Sequence, residues 1–256
     1  MKTTVFAIFI ALVSFSSTKV KAQSSDVENK KLNMYDKFAY KTAAEMYAVA
    51  DTMPYSTEAD LLITEISNKI AQGLFVESEA IWDNLQKLEP YRMHHRVQEA
   101  VKIWVDKSAK KISSQKSANQ TTLASLQSVS QAYNSRDFEK TIQECKNVLR
   151  GAPKHLDVRS NMALALMHLN RDLCAQIELE IVLKLSDKHI PAMLNLTVAY
   201  ERLNKHQDAE DVLAKLLQLS ENNKLNNPMI RYNAAWFRFQ DGNYSYADTL
   251  LNRPKH

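Results

Sequence analysis

The chain has 256 residues but only three glycines, Gly73, Gly151 and Gly242, each standing alone. Phosphate-cradling loops need glycines gathered in one turn, and neither GxGxxG nor GxxxxGKS/T occurs, which excludes the common nucleotide-binding folds. The 33 basic side chains fall to 30 when Lys2, Lys19 and Lys21 of the first 22 residues are set aside, against 29 acidic ones. So even a balance excludes a general attraction to nucleic acid or to an anionic membrane surface.

In chain order, residues 1–22 have the form of a signal peptide. Lys2 provides a charged start, Val5 to Phe15 is apolar, and Val20-Lys21-Ala22 resembles a cleavage site before Gln23. The apolar run falls short of the about 20 residues that cross a bilayer. The residue after the cut is Gln23 and no cysteine lies near it, which disfavours a lipid anchor. The mature chain is therefore expected to be exported to the periplasm, with no transmembrane span. Residues 23–32 are polar and read as a flexible arm.

A helix is expected over about 33–53, where Tyr35, Phe38, Thr42, Met46, Val49 and Met53 share a face and Pro54 ends it. Thr57 and Asp60 have capping-box spacing for the next helix. Residues 59–92 then form a helix–turn–helix unit. Leu62, Ile66 and Ile70 stripe its first helix and Phe75, Ser78, Trp82, Leu85 and Leu88 its second. Gly73 stands in the turn, where a left-handed backbone suits glycine. A fourth helix over about 92–112 carries Val97, Val101, Trp104, Val105 and Ile112, completing an N-terminal helical region over 33–113. The stretch from Lys107 turns polar, and residues 114–121 read as a linker with solvated lysines.

From residue 122 onward the chain repeats. Leu156–His189 written above Ile190–Asn223 matches Asn161 with Asn195, Ala165 with Ala199, Asn170 with Asn204, Ala175 with Ala209 and Leu179 with Leu213. Residues 122–155 precede these two blocks in register, with Thr141 in the alanine column. A fourth copy over 228–256 follows an insertion within 224–227 and puts Ala247 in that column. Ser78 places residues 59–92 in the same scheme, more loosely. A period of 34 with small residues at the helix crossing resembles the tetratricopeptide repeat. The resemblance implies an all-α fold, a right-handed α-solenoid of helix–turn–helix repeats with extra N-terminal helices. It also implies that the first helix of each repeat lines a concave groove for a protein or peptide.

By that resemblance the groove includes Asp157, Ser160, Asn161, Leu164 and His168 from one repeat. Leu194, Asn195, Val198 and Arg202 come from the next, and Tyr232, Asn233, Trp236 and Gln240 from the last. The asparagines can donate to and accept from a peptide backbone. The bland alternative is that they satisfy local backbone groups and that Trp236 packs inward. The paired basic residues with which some relatives clamp a C-terminal carboxylate are missing. An apolar or mixed peptide is the better match.

Nothing points to catalysis or to a cofactor. Seven histidines are scattered, and His94 and His95 point about 100° apart on a helix, a poor arrangement for one metal. HExxH, CxxC and GxSxG are missing. Cys145 and Cys174 fall inside predicted helices and read as buried free thiols, although export would permit a disulfide. The leading expectation is a non-catalytic binding scaffold in the cell envelope with a protein or peptide partner. A structural subunit of a homo-oligomer or envelope assembly is the alternative, and a helical enzyme comes third.

Overall fold

The computed structural model describes residues 53–89, 92, 94–115, 123–222, 228–240 and 244–252. The expected signal peptide, the expected arm and nearly all of the expected 33–53 helix lie outside these residues, as do most of the expected linker and the insertion before the fourth copy. The described residues form eleven α-helices and no strand. They are α1 (Thr57–Gln72), α2 (Phe75–Leu88), α3 (His95–Ser114), α4 (Leu123–Asn134), α5 (Phe138–Gly151), α6 (Leu156–His168), α7 (Asp172–Leu185), α8 (Ile190–Arg202), α9 (His206–Asn222), α10 (Pro228–Gln240) and α11 (Tyr244–Asn252). The pairs α4–α5, α6–α7, α8–α9 and α10–α11 are tandem helix–turn–helix units, each packed on the next.

The turns inside α4–α5, α6–α7 and α8–α9, and the turn between α1 and α2, share one backbone solution. Arg136, Asn170 and Asn204 occupy the same column and all have φ between 57° and 59°, while Gly73 is at 77°. At each turn two amide N–H groups return to the preceding helix, for example Arg171 to the Leu166 carbonyl at 2.9 Å and Asn170 to Met167 at 3.1 Å. The same pair of bonds recurs from Asp137 and Arg136, from Lys205 and Asn204, and from Leu74 and Gly73. This satisfies carbonyls that a helix end leaves open, at the cost of one left-handed residue. Asparagine and glycine reach that region readily, and arginine does not. Gly73 is further constrained because an added Cβ would stand 2.8 Å from the Trp104 ring.

Small side chains set the helix crossings. Ala175 and Ala209 are fully buried, Ala247 nearly so, and Ser78 and Thr141 fill the same column with no exposed area. These last two keep the column dry by bonding within their own helices, Ser78 Oγ to the Phe75 carbonyl and Thr141 Oγ1 to that of Asp137, both at 2.8 Å. The N-terminal boundaries differ from the sequence expectation. Ser56, not Thr57, caps α1, its Oγ accepting the Ala59 N–H at 3.2 Å. α3 continues through Ser114, because Ala109 and Ile112 extend its apolar stripe past the lysines.

The N-terminal helices share a core with the array. Ile63, Ile66, Ile70, Trp82, Leu85, Val97, Val101 and Val105 enclose Leu173, Ile177 and Ile181 of α7 together with Leu203. The opposite stripe of α7, through Ala175, Leu179 and Val182, belongs to the array core. Cys145 and Cys174 are both free and buried. Burial raises both thiols above their ordinary range, Cys145 to about 12.

Two substitutions test this packing. Ala209→Leu should overpack the α8–α9 crossing and cost about 1–3 kcal/mol, read as a lowered melting temperature. Arg136→Gly should relieve left-handed strain and raise stability by about 0.5–1 kcal/mol in urea unfolding. An unchanged melt in the first, or a loss in the second, contradicts the assignment of these columns.

Candidate docking surface

The first helices of the tandem pairs, α6, α8 and α10, carry the residues marked out from the sequence. Of the nine on α6 and α8, four are buried, four are half-buried and Asp157 is exposed. Leu164, Ser160, Leu194 and Asn195 are all buried. The Asn195 amide donates to Ser160 Oγ at 3.4 Å, a long contact that ties α8 to α6. Val198 is half-buried and packs on the array core, and Asn161 is half-buried.

His168 stacks on Phe138, with ring centroids 4.2 Å apart and planes 5° from parallel, and shares a 3.0 Å hydrogen bond with the Tyr133 hydroxyl. Burial first, then the nearby charges of Arg202 and Arg136, hold its pKa below the ordinary value. Arg202 donates to the Met167 carbonyl at 3.0 Å and to Asp172 Oδ1 at 3.1 Å. Burial raises Asp172 to about 6 despite Arg202, with Asp83 adding to the rise.

Two histidines have a role that single-residue inspection misses. His155 and His189 cap α6 and α8, their Nδ1 atoms accepting from Val158 N–H at 3.4 Å and Ala192 N–H at 3.2 Å. Nε2 of His189 then bonds Asp157 at 3.0 Å, and this contact lowers the Asp157 pKa. The two histidines stand 34 residues apart, so the repeat alignment held the signal.

The open surface is on the last pair. Tyr232 and Trp236 of α10 are 41% and 43% exposed, Phe239 one turn further is 54% exposed, and Leu251 of α11 is 56% exposed. The Trp236 and Phe239 rings lie 6.3 Å apart and nearly parallel. Asn233 beside them is half-buried, and the side chain of Gln240 is outside the described residues. Position by position, Tyr232, Trp236, Phe239 and Leu251 correspond to Leu194, Val198, Glu201 and Leu213 one repeat earlier. Two repeats earlier they correspond to Ser160, Leu164, Met167 and Leu179. Ser160, Leu164, Met167, Leu179, Leu194 and Leu213 are buried, and Val198 and Glu201 half-buried.

The physical reason is that α8 packs on α6 and α7, and α10 packs on α8 and α9. Among the described residues no helix packs in the corresponding way on α10 and α11. Phe239 and Leu251 therefore join this surface, although the sequence reading did not single them out.

No family model matches the chain, and no curated protein does. Among solved structures it is similar to the crystal structure of a tetratricopeptide repeat protein from Parabacteroides merdae ATCC 43184. Identity is 14%, over 76% of this chain and 78% of that one, with a TM-score of 0.43. A likeness that loose carries no weight, and the tandem-pair architecture rests on the columns and turns of this chain.

Arg202 provides a test of structural against binding roles. Arg202→Leu should destabilise the fold at pH 8 by about 1–3 kcal/mol, because buried Asp172 loses its cation. Asp172 already has a raised pKa, and losing Arg202 raises it further, so protonation relieves the variant as pH falls. The deficit at pH 5 should be clearly smaller than at pH 8 in urea unfolding. A deficit independent of pH would remove Asp172 from the explanation.

Proposed function

We propose that the chain is a non-catalytic protein-binding scaffold of the tetratricopeptide kind, exported to the cell envelope. In this reading its docking surface is the outer face of α10 and α11. The observation that carries it is the burial contrast along matched columns: positions covered by a neighbouring helix in the middle repeats stand open on the last described pair. Such a surface suits an amphipathic helix, since helices cover the same columns earlier in the array.

The helices that do this covering share a pattern. Val158, Met162 and Ala165 of α6 match Ala192, Leu196 and Ala199 of α8, and all six are buried. A partner helix with apolar residues at i, i+4 and i+7 would fit against Trp236 and Phe239. Exposed aromatic residues on one helix face are the side-chain types that dominate binding energies. Export rests on the form of residues 1–22. Among the described residues no helix is long and apolar enough to cross a membrane.

Crosslinking of the full chain in native envelope, followed by identification of the crosslinked peptides, tests this reading. Trp236→Ser combined with Phe239→Ser should reduce partner recovery at least tenfold, a loss of about 1.4 kcal/mol or more. Ile103→Ser, on an exposed position of α3, should leave recovery intact. Undiminished recovery from the double variant would refute docking at α10. Self-crosslinks that vanish with the double variant, together with a dimer in light scattering, would identify the occupant as a second copy of the chain.

A further inference from the structure

The seam between α2 and α7 joins the N-terminal helices to the array, and a buried acid lies in it. Glu79 of α2 is 5% exposed. Its Oε1 accepts the Leu173 N–H at 3.3 Å and its Oε2 the Cys174 N–H at 2.9 Å. These donors belong to the first turn of α7, which has no side-chain cap of its own from Arg171. A helix of the array is thus closed by a carboxyl group lying more than ninety residues earlier in the chain.

The charges around Glu79 do not neutralise it. On α7, Asp172 raises its pKa, and Glu178 lies one turn beyond Cys174. On α2 itself, Asp83 is one turn further along and acts on Asp172. The cations nearby are engaged elsewhere: Arg171 with Glu139 of α5, Arg202 of α8 with Asp172, and Arg159 of α6 with Glu178. None of the ion pairs among the described residues includes Glu79. We propose that this seam is a proton-operated latch, in which a neutral Glu79 carboxyl keeps α1–α3 seated on α7 and its ionisation loosens them from the array.

The physical case is the cost of a buried charge without a counter-ion. The Cys174 thiol, two backbone donors and the positive end of α7 offset part of that cost, and the Asp172 carboxylate adds to it. Burial prevails and brings Glu79 to about 7, against an ordinary value of 4.5. A carboxyl whose pKa is raised on docking strengthens the docked state fully below about pH 4.5. That gain is lost as pH rises through about 7.

Asp172, raised to about 6, acts in the same direction. His94 has its pKa lowered to about 4, mainly by burial, and acts in the opposite direction on global stability. It is held between Tyr55 and Trp82 inside the N-terminal helices, so undocking of α2 from α7 does not release it. Loosening would uncover Leu173, Ile177 and Ile181, an apolar stripe separate from the surface on α10.

Hydrogen exchange on the full chain at pH 5, 6.5 and 8, corrected for intrinsic exchange, tests the latch. The opening constant over residues 75–88 and 173–181 should rise by about 70-fold from pH 5 to pH 8 from Glu79 alone, with Asp172 adding to it. Segments in α5 should change less than twofold. Glu79→Gln should cut the rise to the part that Asp172 supplies, about tenfold at most. Asp172→Asn should move the midpoint to lower pH, because it removes the like charge that raises Glu79. A flat wild-type profile overturns the proposal, as does a wild-type profile retained by Glu79→Gln. Should Glu79→Gln fail to fold, an unmoved midpoint in Asp172→Asn overturns it.

Discussion

The rest of the molecule depends on α7 being buried along two stripes at once. A helix in a simple two-layer stack hides one face and leaves the other to water. Here Ala175, Leu179 and Val182 face the array core while Leu173, Ile177 and Ile181 face the N-terminal helices. Each fully buried leucine or isoleucine contributes about 1.5–3 kcal/mol relative to exposure, so neither neighbour is dispensable to α7. The N-terminal unit is therefore part of the fold's support.

Polar groups follow the same seams. Gln176 on α7 donates at 2.7 Å to Gln98 on α3 and to Glu180, which also accepts the Tyr200 hydroxyl of α8 at 2.9 Å. Lys205 lies 4.2 Å over the Tyr200 ring and within 4 Å of Glu180. Burial raises the Tyr200 pKa, with the Glu180 charge adding to it. A network with groups from three helices, α3, α7 and α8, fixes their register more tightly than apolar contacts alone, since each buried group left unmatched is costly. At the rim, Lys184 and Asp106 pair at 2.7 Å between α7 and α3, half-exposed, where an ion pair contributes little.

Much of the fold was legible because repeats average out local noise. Columns such as 141/175/209/247 show small residues wherever two helices cross, and Asn170, Asn204 and Gly73 mark left-handed turns. Arg136 holds the same turn without the residue type that announces it. The histidine caps required the repeat alignment to be read for polar as well as apolar columns. Glu79 was not legible, because a carboxylate on a surface-looking helix gives no sign of a partner more than ninety residues away. The residues proposed for docking were the least legible. Spacing places Asn161, Leu164, Asn195 and Val198 on first helices, but only the packing of neighbours decides which of these positions remains open, and it leaves Tyr232 and Trp236 open.

The dual burial of α7 makes the N-terminal helices and the array one cooperative body. The most direct measurement is urea unfolding at pH 6 of a Trp236→Phe variant, whose remaining tryptophans, Trp82 and Trp104, report on the N-terminal helices alone. Followed by their fluorescence and by far-ultraviolet ellipticity, which reports on all helices, the two transitions should coincide in midpoint and slope. A fluorescence transition at clearly lower urea, with most of the ellipticity retained, would show that α1–α3 unfold without disturbing the array and would contradict a shared α7.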